Sequence, residues 1–537
     1  MLPLFLLVLA GTEALYRPLI FGRPKGGFLQ GANEDGYTWT NSSYMIYNTI
    51  TQKNDHFGSV KGTWQQRYQY NSKFFDSKRP LAFLMIGGEG EIGNGGDKWV
   101  RNENVTMMTY ASLFGAAAFQ VEHRFYGPKN CTPMGDSTVD SLQLLSIKQA
   151  LADIDNFIGQ MNTLYFSSYS NIQWITFGGS YPGTLSALFR ASYPSRTIGA
   201  VSTSSAVHFF TDYYGYAVNT EYTYRTVSPD CADNIGKGFQ KMINLAYGGA
   251  ASRKELEKTF NLCNSFDNST TSITKAVQYF FSNYYGLFQG INQYTGDNRD
   301  FATRNGLGVP GACAIMNNAT LDEMGRIKAV YDWQQSFYNG DPNKCADNSY
   351  DGFIQYMQDT SYSDLEQVAA RSWVWQTCTS LGYFQTTDGN NGIFGSTVPL
   401  DFYADQCSSI FGAKYDLLNV FSQVNSYRSE YYDTYKGTKV VFPNGSYDPW
   451  KSLGFPESKK NDANDVDAFT INGTAHCANM YPASPNDNQS LKDARVRIQK
   501  HLDNWIKIGF AAPTTQNSVA FLSSLPPITS FFLIYFL

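Results

Sequence analysis

The chain has 537 residues, 42% of them hydrophobic, 16% charged and 16% aromatic, with a formal net charge of −5. That suffices for a large core, in one domain with an insertion or in two or three domains. A slightly acidic chain gives no electrostatic case for nucleic acid as a partner, and neither internal repeats nor long low-complexity tracts occur.

In chain order, residues 1–10 (MLPLFLLVLA) are an apolar run too short to span a membrane. They read as a secretory signal, with a buried strand as the alternative and 1–15 as the removed segment. Residues 80–86 (PLAFLMI) form an apolar strand that runs into a glycine-rich loop at 87–96, GGEGEIGNGG. No G-K-[ST] follows, so this is not a phosphate loop; its glycines let backbone N–H groups turn inward. Further strands are expected at 117–122, 172–177, 198–203, 437–442 and 467–471.

The stretch NIQWITFGGSYPGTLSALFRASYP, residues 171–194, is the most informative. A β-branched and aromatic run stops at Gly178 and Gly179, and from Thr184 onwards Leu185, Leu188, Phe189 and Tyr193 repeat at helical spacing. No loop fits between them, so Ser180 stands at a strand-to-helix apex with its hydroxyl outward, at a helix N-terminus. Pro182 suits an early helical position, although the usual G-x-S-x-G pattern has glycine there. The motif reads equally well as a plain strand–helix turn or as a nucleophile elbow.

A serine nucleophile needs a base and an orienting carboxylate. Of the five histidines, His56 and His123 precede Ser180; in the order Ser, acid, His, the candidates are His208, His476 and His501. His501 lies beside the apolar stripe of a C-terminal helix and reads as a surface residue, and no turn surrounds His208. His476 sits in a glycine-bearing loop, INGTAHC, at a strand end, which favours it. Asp448, in PNGSYDPW after the strand at 437–442, supplies a carboxylate 28 residues earlier. Tyr181, by its backbone N–H, and the Gly88–Glu89 stretch of the glycine-rich loop are the expected oxyanion donors.

Six ordered motifs now stand together: residues 52–71 (QKNDHFGSVKGTWQQRYQYN), GGEGEI at 87–92, VEHRFYG at 121–127, FGGSYPGTLSA at 177–187, NGSYDPW at 444–450 and GTAHC at 473–477. The chain resembles the serine peptidase family of lysosomal Pro-Xaa carboxypeptidase, dipeptidyl peptidase II and thymus-specific serine peptidase, the thymus-specific type above all. The resemblance spans about 45–505. It implies an α/β-hydrolase fold interrupted by a large, mostly helical, disulfide-bonded cap, and hydrolysis near proline at a peptide's end. Carried over, Ser180 is the nucleophile, Asp448 the acid and His476 the base, with no cofactor and no metal; His123 supports the rim of the site. Pro182 departs from the glycine of the best-known members.

The expected division is a hydrolase domain at 16–207 and 436–510, a cap at 208–435 and an apolar tail at 511–537. Capping boxes are expected at Ser252–Glu255 and Thr320–Glu323. Six of eight cysteines fall in the cap. Cys231 and Cys313, like Cys263 and Cys345, are 82 residues apart, which suggests parallel crosslinks, with Cys378 and Cys407 as a third pair. Cys131 and Cys477 remain as a fourth, and connectivity stays open on sequence alone. Sequons at Asn41, Asn104, Asn130, Asn268, Asn318, Asn444, Asn472 and Asn488 favour a secreted or lysosomal glycoprotein. The tail, uncharged after Lys507, reads as a lipid-anchor signal, a tail anchor or an irregular terminus. Membrane attachment through it and a homodimer are open. The rival readings are a catalytically impaired binding glycoprotein and an esterase or lipase on the same elbow.

Overall fold

The computed structural model describes residues 19–20, 23–24, 37–93, 96–296, 306–337, 341, 344–389 and 392–511. The expected signal segment and nearly all of the apolar tail lie outside the described residues.

Eight strands form one sheet: β1 (Met45–Lys53), β2 (Thr63–Asn71), β3 (Leu81–Ile86), β4 (Ala116–Val121), β5 (Gln173–Gly179), β6 (Gly199–Thr203), β9 (Val440–Gly445) and β10 (Val466–Ile471). Two short strands, β7 (Phe210–Asp212) and β8 (Gly382–Phe384), pair in parallel elsewhere. The sheet order is β10-β9-β6-β5-β3-β4-β2-β1. The β1–β2 and β2–β4 pairs are antiparallel and the remainder parallel. With helices on both faces this is the α/β-hydrolase fold. The central strands LAFLMI and AAAFQV are buried along their whole length, as parallel strands covered on both faces must be.

Alternation along β3 divides the core. Leu81, Phe83 and Met85 face one layer with α1 (Thr106–Phe114) and the C-terminal helix α10 (Gln489–Phe510). Ala82, Leu84 and Ile86 face the other, with α2 (Ile147–Tyr165) and α3 (Tyr181–Ser192). That second core continues without a break into the helical segment between β6 and β9. This segment contains α4 (Gly215–Val227), α5 (Pro229–Tyr247), α6 (Ile273–Gln293), α7 (Val309–Met316), α8 (Leu365–Gln376) and α9 (Leu400–Phe411).

Cys231–Cys313, Cys263–Cys345 and Cys378–Cys407 are disulfides. Cys131 and Cys477, expected as a fourth pair, are unbonded and buried. They follow β4 and β10, which four strands separate. The Cys477 loop folds back so that its Sγ packs at Gly179 of β5, whereas Cys131 stays beside Gly127 beyond β4, and the two thiols do not bond. The capping boxes also differ from expectation. Ser252 lies inside the helix Ala250–Thr259. The helix Glu323–Phe337 is capped by Asp322, whose Oδ1 accepts the Gly325 N–H at 2.7 Å, while Thr320 bonds Asn318 instead.

Candidate active site

Ser180 alone joins β5 to α3. Its φ of 63° and ψ of −134° put it where side chains are strained, a conformation costing about 1–3 kcal/mol that persists only when its surroundings enforce it. Two contacts enforce it here. The Ser180 N–H donates to Thr203 O at 2.9 Å, and its carbonyl accepts the Thr184 N–H at 3.1 Å. The glycines permit the close approach: a Cβ on Gly178 would lie 2.2 Å from Pro182 O, and one on Gly183 2.8 Å from Thr203 O. Pro182 occupies the first helical turn, where its missing N–H has no acceptor to lose.

The C-terminal end of β6 organises the rest. Thr203 Oγ1 accepts from Asn479 Nδ2 at 3.0 Å, and Ser204 Oγ accepts the Cys477 N–H at 2.9 Å. The Ser204 N–H donates to Pro443 O of β9 at 2.9 Å. One strand end thus holds the serine turn, the histidine loop and the strand leading to Asp448. His476 Nδ1 and Asp448 Oδ2 are 2.8 Å apart, and both side chains are fully buried. Asp448 Oδ1 accepts the Trp450 N–H at 2.9 Å. Burial alone would depress the His476 pKa, but the charge and hydrogen bond of Asp448, with the neighbouring Cys477 thiol acting in the same direction, outweigh it and hold the ring well above the ordinary histidine value.

His476 Nε2 is buried and, among the described residues, makes no hydrogen bond. The Ser180–His476 bond of a closed triad is therefore not formed, as is common before substrate binds. The two loops are nonetheless in contact. A Cβ on Gly179 would lie 2.9 Å from Cys477 Sγ and 2.2 Å from Met480 Sδ.

Tyr181, the first residue of α3, directs a helix N-terminal N–H beside Ser180. Gly88 comes to the same corner: a Cβ there would lie 2.6 Å from Pro182 Cγ, the proline ring being its one contact among the described residues beyond its chain neighbours. The glycine-rich loop is anchored from behind. The Ile92 N–H donates to Glu122 Oε1 at 3.1 Å, and Arg67 bridges Glu122 and Glu91. Glu89 lies in this loop, half-buried.

The other histidines are engaged elsewhere. His56 pairs with Asp153, which Arg124 also grips. His208 stacks on Tyr432. His501, expected at the surface, is half-buried between Asp465 and Asp467 at 3.0 and 2.9 Å, because α10 packs on the start of β10. His123 is buried against Tyr181. Among the described residues no group of three His, Cys, Asp or Glu side chains could hold a metal ion.

Sequence reasoning passes over several residues that complete the site. Gln293, the last residue of α6, accepts the His476 N–H at 3.0 Å through its carbonyl. Its Oε1 accepts Trp450 Nε1–H at 3.1 Å and the Tyr216 hydroxyl at 2.5 Å. Thr203, Ser204 and Gln293 bear no local pattern that announces them. Only the placement of β6 and α6 in space brings them to the site. Of the sequons, Asn41, Asn130, Asn268, Asn318, Asn472 and Asn488 are exposed, and Asn104 and Asn444 are half-buried.

The chain is similar to several known proteins along most of its length. A Caenorhabditis elegans relative is 36% identical over 520 residues, 94% of each chain. Mouse (Mus musculus) thymus-specific serine protease is 28% identical over 468 residues, 84% of this chain and 85% of that one. Human (Homo sapiens) lysosomal Pro-X carboxypeptidase is 24% identical over 474 residues, 85% of this chain and 87% of that one. The family model described as serine carboxypeptidase S28 matches residues 52–498. The chain is a member of the S28 serine peptidase family.

Proposed function

We propose that this protein is a serine exopeptidase that cleaves peptides next to proline, with Ser180 as nucleophile, His476 as general base and Asp448 as the orienting acid. One observation carries the reading: a fully buried His476–Asp448 pair at 2.8 Å leaves Nε2 with no hydrogen bond among the described residues, on a loop packed against the residue before Ser180.

The chemistry follows from that arrangement. Ser180 Oγ attacks the scissile carbonyl carbon while its proton passes to Nε2. Asp448 holds Nδ1–H and stabilises the imidazolium. The carbonyl oxygen becomes an oxyanion beside the Tyr181 N–H and the backbone of Gly88 and Glu89. On collapse the C–N bond breaks, Nε2 returns the proton to the leaving amine, and an acyl-enzyme remains for water to hydrolyse by the same steps. The preference for proline and for a chain end is taken from the name and likeness of the Pro-X carboxypeptidase relative. The lysosomal relative and six exposed sequons support passage through the secretory pathway. Among the described residues no helix is long and apolar enough to cross a membrane.

A mass-spectrometric screen of proline-containing peptides, free and blocked at each end, tests the reading. Cleavage beside proline that one end-block abolishes supports it and tells carboxypeptidase from dipeptidyl peptidase. Turnover of short acyl esters with no peptide cleaved would replace it with an esterase.

A further inference from the structure

Behind the serine turn lies a buried chain of polar side chains that the triad does not use. It joins His123, after β4, to Tyr181, to Gln376 at the end of α8, and to Tyr126. These four side chains are at most 5% exposed. His123 Nδ1 lies 2.8 Å from Arg124 O, and Nε2 lies 3.0 Å from the Tyr181 hydroxyl. Gln376 Nε2 donates to that hydroxyl at 2.8 Å, and Gln376 Oε1 accepts from Tyr126 at 2.5 Å.

Elementary chemistry fixes the direction of every bond. The Arg124 carbonyl can only accept, so Nδ1 bears the proton. Burial pushes the His123 pKa down to about 4, so the ring is neutral and Nε2 can only accept. The Tyr181 O–H therefore donates to Nε2, its oxygen takes the amide N–H of Gln376, and the amide oxygen takes the Tyr126 O–H. With Nδ1–H held by the Arg124 carbonyl and the ring neutral, these three bonds run in one direction.

We propose that Gln376 is a positioning residue for the reaction, locking Tyr181 through this one-way chain so that the Tyr181 N–H stays aimed at the oxyanion. The inference rests on the reading of Ser180 as nucleophile. Two features of the fold agree with it. Ser180 is strained, and the residue next to it is clamped on its side-chain side by this chain alone among the hydrogen bonds of the described residues. Gln376 belongs to the segment between β6 and β9, yet it is held firmly against the hydrolase body. Ser372 Oγ donates to Phe125 O at 3.2 Å, Arg371 donates to Ser137 O at 2.9 Å, and Cys378, two residues on, is bonded to Cys407 of α9. A turn of π-helix begins at Thr377, a distortion that occurs often at functional sites.

The test is Gln376→Glu, assayed beside the wild type over a range of pH. As a neutral acid the new side chain donates to Tyr181 and accepts from Tyr126, which preserves the chain. As a carboxylate it can only accept, and it draws the Tyr181 O–H away from His123. The ratio of variant to wild-type kcat, which cancels the titration of His476, should be about ten- to a hundredfold below one in alkali and climb as the pH falls. A ratio that does not change with pH overturns the proposal. Tyr181→Phe, which removes one hydroxyl and keeps the backbone, decides the matter if Gln376→Glu yields no folded protein. Its kcat should drop about tenfold with KM within about twofold, and an unchanged kcat overturns the proposal. Ser180→Ala separates the two levels. Activity that survives it removes the nucleophile itself, whereas loss of activity there with normal kcat in Tyr181→Phe removes only the positioning role.

Discussion

Gly88 and Pro182 form a pair whose shapes depend on each other, and this permits a double-mutant cycle at the proposed oxyanion site. A methyl group at residue 88 would sit 2.6 Å from Pro182 Cγ and 3.2 Å from Cδ, and among the described residues beyond its chain neighbours nothing else comes within 4 Å. Carbon atoms need about 3.5–4.0 Å, so Gly88→Ala must move the loop or the first turn of α3 by roughly 1 Å. A shift of that size at a reacting centre costs about a hundredfold in rate, or about 2.7 kcal/mol at 1.36 kcal/mol per decade. Pro182→Gly removes the ring and should leave kcat/KM within about threefold of wild type, with a stability loss of about 1 kcal/mol from the more flexible first turn. In the double variant the methyl group has open space, so kcat/KM should return to the level of Pro182→Gly. The assay is steady-state hydrolysis of one proline-containing peptide by all four proteins, with chemical denaturation to confirm folding. The coupling should be about 2–3 kcal/mol. Additive losses, with a coupling near zero, would refute the close approach of the two residues.

Four further outcomes follow from the same geometry. Ser180→Ala and His476→Ala should each cost roughly a millionfold in kcat, and Asp448→Asn about ten-thousandfold, measured by single-turnover hydrolysis. Because Asp448 raises the His476 pKa and the base must be neutral, kcat/KM should fall as pH drops through a value above the usual ~6.5; in Asp448→Asn that limb should move to lower pH, and an unmoved limb would assign it to another group. Burial would depress His501, but Asp465 and Asp467 hold its pKa up at about 9. The stability it contributes, on the order of 1 kcal/mol, is fully present below about pH 6.5 and is lost as pH rises through 9, so the gap in denaturation midpoint between wild type and His501→Gln should close in alkali. Replacing Cys378 and Cys407 by serine removes a crosslink between residues 29 apart, which the loop-entropy estimate puts at about 3–4 kcal/mol; guanidinium unfolding measures it.

The parts of this fold that sequence makes plain are those where one physical demand acts alone. LAFLMI must be apolar throughout because both faces of β3 are covered, and the glycines around Ser180 are required by contacts of 2.2 and 2.8 Å. His476 stands out because a glycine-bearing loop after a strand is where a base is presented. The hairpin of β1 and β2 is invisible to the same reasoning. MIYNTITQK and TWQQRYQYN are rich in Gln, Asn and Thr, and β1 is an edge strand, mostly exposed, so no apolar alternation marks it. Strand ends are misjudged for a related reason: Pro443 suggests a stop, yet β9 continues to Gly445 in register with β10. The capping boxes mislead because Ser252 and Thr320 compete with Gly249 and Asp322, and only packing decides where each helix starts. The second layer of the site, Thr203, Ser204, Gln293 and Gln376, depends on chain segments far apart in sequence that meet only in the folded protein.

The central claim is that Ser180 is a nucleophile activated by His476. Reaction with a fluorophosphonate, followed by peptide mass mapping, tests it most directly. The probe should add to Ser180 alone, in step with loss of peptidase activity, and labelling in folded His476→Ala should slow by several orders of magnitude. Labelling of another residue, or labelling of Ser180 at an undiminished rate without His476, would contradict the claim.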